Sequence, residues 1–161
     1  MIKILAVRKI HDEANILLFT IILSIVGIAF AVILTYDHYY ESQLPLCQPE
    51  TWLDCGKVNK GEYSEVLGVP LAVIGLIGFV LILSLSVIRL VHWHRDYTKN
   101  FFLLVLLFVF LGSIISWYLT YLEFFVIYAI CPYCFTSFLL ITIVLGVQLY
   151  GFIRGSSEEE S

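Results

Sequence analysis

Cys131-Pro132-Tyr133-Cys134 sets two thiols two residues apart at the head of a long apolar run. Sulfurs at that spacing close a small disulfide ring that opens and closes readily. Proline suits the first turn of a helix, where its missing N–H costs nothing, so the pair is expected at a helix N-terminus. There the dipole and the free N–H groups favour a thiolate. Such a thiolate can attack a disulfide or pass electrons to an acceptor. A static disulfide or two inert core cysteines would use the same residues; the spacing and the helix start favour redox chemistry. A second pair, Cys47 and Cys55, lies between Leu44 and Gly56. Alone it reads as a loop staple. Beside a redox CxxC it reads as a shuttle, two dithiol pairs passing electrons in series through a mixed disulfide. A four-thiolate zinc site is disfavoured, because the first pair is too widely spaced for the usual ribbon and an oxidising face does not suit it. No metal is expected.

The elements that must position these thiols are membrane spans. Of 161 residues, 60% are hydrophobic and 14% charged, against roughly 45–50% and 25% in a soluble domain. The mean hydropathy is +0.94. A soluble fold of this size could not hide so much apolar surface. A soluble enzyme and a disordered tail are excluded. The net charge of −4 argues against a phosphate-seeking surface, so no nucleic-acid partner is expected. A helix crosses the roughly 30 Å of hydrocarbon in about 20 residues. The apolar runs then divide into four spans, at about 14–36, 68–90, 101–121 and 131–153. The first is too long for a signal-peptide core and is expected to be retained. The fold class is therefore an all-α integral membrane protein, a single four-helix bundle over 1–161. A structured cap, about 37–67, joins spans one and two.

Orientation follows from the basic residues. Lys3, Arg8, Lys9, Arg89, Arg95, Lys99 and Arg154 are seven of the nine and fall on one side. Both termini should be cytoplasmic. All four cysteines then face the opposite, oxidising side, together with all four prolines. Glu123, the single charge in the last 53-residue apolar stretch, is expected in a solvated turn at the outer interface, the alternative being an unpaired acid that relays protons for a redox site. Tyr36, Tyr39, Tyr40, Trp117, Tyr118, Tyr121 and Tyr128 read as an outer aromatic belt and His92, Trp93 and His94 as the inner one. Ser113 and Ser116 are expected to bond their own helix carbonyls. The polar tail 155–161 is expected to fray.

Several of these residues together resemble the vitamin K epoxide reductase family. They are the outer loop with two cysteines, Asp54-Cys55, Tyr63-Ser64, Gly68-Val69-Pro70 before span two, and a CxxC opening the last of four spans. The resemblance covers about Ile10 to Phe152 and is strongest to prokaryotic members, which re-oxidise thioredoxin-like disulfide-forming proteins and reduce quinone. It implies a thiol:quinone oxidoreductase in a prokaryotic cell membrane. Its catalytic residues would be Cys47, Cys55, Cys131 and Cys134, and its acceptor a ubiquinone, menaquinone or vitamin K type quinone. Cys134 would sit beside the quinone, Cys131 would exchange with Cys55, and Cys47 would meet the partner's thiol. With no fused thioredoxin-like domain before Ser161, that partner is expected to be separate.

The animal enzymes carry a tyrosine where this chain has Phe138, and an asparagine in the region of Leu71-Ala72-Val73-Ile74. Both differences favour a plain quinone over an epoxide. Phe138, one helical turn beyond Cys134, could wall the quinone pocket or pack between spans. Ser64 could face the quinone or cap the loop. Trp52 could cover the site or anchor the loop at the interface. Competing readings are animal-type vitamin K epoxide reduction, a four-span disulfide oxidase with its CxxC in the first outer loop, and a non-catalytic membrane protein braced by two disulfides.

Overall fold

The structure, a computed structural model, describes residues 2–40, 44–91 and 98–159. The expected inner belt at His92, Trp93 and His94 lies outside them. Helix α1 spans Ile2–Tyr40, and a short α2 spans Cys55–Asn59. A two-residue hairpin follows, with β1 at Glu65–Val66 antiparallel to β2 at Val69–Pro70. Then come α3 at Leu71–Val91, α4 at Thr98–Leu122 and α5 at Pro132–Glu159. A π-helical turn, Glu123–Ile127, extends α4.

Four segments are long and apolar enough to cross a membrane: Ala14–Tyr40, Leu71–Val91, Phe101–Ile127 and Pro132–Ile153. In hydrocarbon every backbone N–H and C=O must be satisfied within the chain, and a helix does this locally. The chain is an integral membrane protein of the all-α class. The four long helices form a closed ring, α1 on α3, α3 on α4, α4 on α5, and α5 back on α1. Phe79 and Ile82 of α3, Val105 and Val109 of α4, and Leu140, Ile141 and Val144 of α5 fill its centre. Side chains such as Ile22, Val80, Leu107 and Ile143 are exposed on the outside, the surface that lipid covers. Gly27 lets α1 approach α3: a Cβ there would meet the Phe79 ring at 2.5 Å. Deeper in the bundle, Gln148 Nε2 donates to Thr20 Oγ1 at 2.9 Å and ties α5 to α1.

The span ends differ from the sequence expectation, each for a local reason. Span one runs to Tyr40 because Asp37 and His38 find partners in the cap, so their polarity does not end the helix. Span two starts at Leu71 because Leu67 and Gly68, both at positive φ, make the hairpin turn. Span three continues to Ile127 because Glu123 is buried, not solvated: it is 2% exposed. α5 carries helix through the expected frayed tail as far as Glu159. Ser113 Oγ is buried and has no hydrogen-bond partner, so it does not bond its helix carbonyl as expected.

The cap sits over the ends of α1 and α5. Asp54 organises it as the N-cap of α2: Oδ1 accepts the Lys57 N–H at 3.1 Å, and Oδ2 the Glu50 N–H at 3.2 Å. Burial pushes the Asp54 carboxyl up. The Lys57, Glu50 and Gly56 amides and the Lys57 charge outweigh that and hold it below the usual carboxylate range. Asn59, at the other end of α2, donates from Nδ2 to Leu34 O at 2.9 Å and to Asp37 Oδ2 at 3.0 Å. His38 Nδ1 lies 2.6 Å from the Asn59 backbone oxygen, and its Nε2 lies 3.3 Å from Glu65 Oε1. These contacts lock α1, α2 and the hairpin together.

Candidate active site

The CxxC opens α5 as its proline requires, with Pro132 as the first helical residue. Cys131 takes the capping role. Its carbonyl accepts the Phe135 N–H at 2.9 Å, and its Sγ accepts the Cys134 N–H at 3.4 Å. A sulfur thus stands where a Ser or Asp oxygen commonly sits. Both thiols are free, Cys131 fully buried and Cys134 half-buried.

Cys47 and Cys55 form a disulfide. Its inner member, Cys55, is buried in one cluster with Leu34 and Cys131, against which Cys47 and Cys134 also pack. Two clamps hold the cap on the head of α5. The Tyr133 hydroxyl donates to Pro45 O at 2.8 Å, and the Ile130 N–H donates to Trp52 O at 2.8 Å. The first lies two residues before Cys47 and the second three before Cys55, so both flank the disulfide. The arrangement is that of two dithiol pairs in contact, one oxidised and one reduced.

Cys134 faces elsewhere. It lines a cavity of about 350 Å³ between α1, α3, α4 and α5, within the size range of small-molecule sites. The walls are mainly apolar, from residues such as Ile74, Phe79, Leu111 and Ile141, with few polar groups. Phe138 lines the same cavity and stacks edge-on against Trp117, with ring centroids 5.2 Å apart. Ser64 also lines it, while its backbone carbonyl accepts the Leu71 N–H at 2.8 Å and so joins the cap to α3. Trp52 is not among the lining residues. Its side chain is 67% exposed, and its contribution to the cap is the carbonyl that holds Ile130.

Glu123 is the feature that the sequence reading misplaced. It lines the cavity from the π-helical turn, and its Oε2 accepts the Cys131 N–H at 3.3 Å. Its own carbonyl accepts the N–H groups of Tyr128 and of Ala129, the latter at 3.2 Å. The residue ties both ends of the turn that leads into the CxxC. Its isolation in an apolar stretch, eight residues before Cys131, was the signal available. Among the described residues no group of three or more His, Cys, Asp or Glu side chains is placed to hold a metal ion.

No curated protein matches the chain. The model of the vitamin K epoxide reductase family matches residues 18–149, a stretch that takes in all four cysteines and all four apolar spans from the middle of α1 to the middle of α5. A membrane role in disulfide and quinone redox chemistry goes with that match in general terms, and two cysteine pairs packed together, with Cys134 lining an apolar cavity, are the parts such chemistry uses. The chain belongs to the vitamin K epoxide reductase family.

Proposed function

We propose that the protein is a membrane thiol:quinone oxidoreductase that forms disulfides in a thioredoxin-like dithiol partner on the extracytoplasmic side. The observation that carries this is the division of labour between the two thiols of the CxxC. Cys131 packs on Cys55 of the cap, and Cys134 lines the apolar cavity. A pair so divided can receive electrons from one side and deliver them to the other.

The steps balance as two exchanges and one two-electron transfer. The partner's dithiol attacks Cys47 and is oxidised, leaving Cys47 and Cys55 as thiols. The Cys55 thiolate attacks the Cys131–Cys134 disulfide at Cys131, forming the Cys55–Cys131 bond and freeing Cys134. Cys47 then attacks Cys55, restoring the cap disulfide and freeing Cys131. Cys131 and Cys134 close again as their electron pair and two protons pass to a quinone in the cavity, which leaves as quinol. The closed cap disulfide and open CxxC correspond to the stage just before quinone reduction. Cys134 and Phe138 orient the quinone ring, and the apolar walls keep bulk water away. Phe138 offers no hydroxyl to an epoxide oxygen, which favours a ubiquinone, menaquinone or vitamin K type quinone.

The test is turnover in lipid vesicles with a purified thioredoxin-like dithiol and a short-chain quinone, following quinol by absorbance. Quinol formation that needs Cys134, and needs Cys47 with the protein dithiol, is expected. With a small artificial dithiol, Cys47 and Cys55 should become dispensable. A protein that makes no quinol and whose disulfides resist reduction below roughly −300 mV would instead be a braced, non-catalytic one.

A further inference from the structure

We infer that Glu123 is a catalytic proton carrier for the quinone reduction, delivering one of the two protons to a quinone oxygen. This rests on the thiol:quinone reading above. An ionisable carboxyl at membrane depth is costly, and one that persists there has a partner or a pathway to serve. Among the described residues lining the cavity, Glu123 is the single carboxyl, and Cys134 and Tyr63 are the other ionisable side chains. Its placement is specific. The π-helical turn adds a residue to the turn that carries it, a distortion that recurs at functional sites. The carboxyl reaches Cys131 on one side, through the amide at 3.3 Å, and the cavity on the other.

The balance is as follows. Two S–H bonds break at Cys131 and Cys134, one S–S bond forms, and the electron pair enters the quinone. Cys134, in the cavity wall, gives its proton directly to the nearer oxygen. The Glu123 carboxylate takes the proton that Cys131 releases and hands it to the other oxygen, ending as it began. General acid–base assistance of this kind contributes about 10²- to 10⁴-fold.

A purely structural role would be bracing of the turn, and Glu123→Gln separates the two. Glutamine keeps the backbone carbonyl and an oxygen to accept the Cys131 N–H, but it cannot carry the proton. The experiment reduces the CxxC, mixes it with a short-chain quinone or with ferricyanide, and follows one turnover by stopped flow. Ferricyanide takes electrons without protons. Quinone affinity is measured in parallel from quenching of tryptophan fluorescence. Quinol formation in Glu123→Gln should fall about 100-fold or more, ferricyanide reduction, which needs the Cys131 proton removed but none delivered, should fall much less, and quinone affinity should be unchanged. Retention of quinone reduction in Glu123→Gln overturns the assignment, and so does equal loss with both acceptors, which marks a brace. If the unsubstituted protein reduces ferricyanide but forms no quinol, the thiol:quinone reading itself fails.

Discussion

Replacing Asn59 by Ala should undock the cap that carries the Cys47–Cys55 disulfide. The side chain is buried and makes two hydrogen bonds, to Leu34 O at 2.9 Å and Asp37 Oδ2 at 3.0 Å. A neutral bond is worth about 1 kcal/mol net, and one to a charged group about 1.5–3 kcal/mol. Asp37 keeps further contacts, and the His38 contact to the Asn59 backbone survives the substitution. The expected loss is therefore about 2–3 kcal/mol, which is about 30- to 150-fold in the undocked population. The five-residue α2 cannot hold its own hydrogen bonds once undocked. Its amides and those up to Ser64 should then exchange with solvent faster by that factor. Hydrogen exchange read by mass spectrometry, on protein in lipid nanodiscs, gives the number. Asn59→Asp replaces the donor by an acceptor facing Asp37 and should be at least as damaging. Exchange within about threefold of the parent in both variants would show that the cap is held elsewhere and refute the argument.

Acid should loosen the same cap through Asp54. Its folded pKa lies below the ordinary value of about 3.9, so its contribution is complete above about pH 4 and is lost as pH falls through the lower folded value. Limited proteolysis of residues 44–64 against pH should show this loss, and Asp54→Asn should flatten it while costing about 1 kcal/mol at neutral pH. Gly27→Ala should lower the melting temperature in detergent, since the added Cβ meets Phe79 Cε1 at 2.5 Å and overpacking costs about 1–3 kcal/mol. Adding Phe79→Leu should recover part of that loss, and failure to do so would place the strain elsewhere.

The spans were legible because hydrocarbon imposes a length and a composition that few other structures share. Their ends were not. Asp37 and Glu123 carry charge and so suggested termini, yet each finds a partner inside the protein, Asn59 for one and the Cys131 amide for the other. Those partners lie across turns that contain left-handed residues other than glycine, Leu46 and Glu50 in one and Tyr128 in the other, and composition does not announce these. The spacing of Cys131 and Cys134 suggested redox chemistry, whereas Cys47 and Cys55 alone read as a staple. That Cys131 would face the cap and Cys134 the cavity is a matter of helix rotation over less than one turn, which needs the packed neighbours to decide. Ser64 and Phe138 line the cavity with Cys134, whereas Trp52 points outward and acts through its carbonyl.

The relay is tested most directly by the disulfide map of the Cys47→Ala protein after exposure to a short-chain quinone without reductant. Removing Cys47 removes the thiol that resolves the link between the two pairs. Quenching with acid, alkylating and mapping peptides by mass spectrometry should reveal Cys55 joined to Cys131, with Cys134 alkylated. An intact Cys131–Cys134 bond beside a free Cys55, or Cys55 joined to Cys134 instead, would contradict the proposed path of electrons.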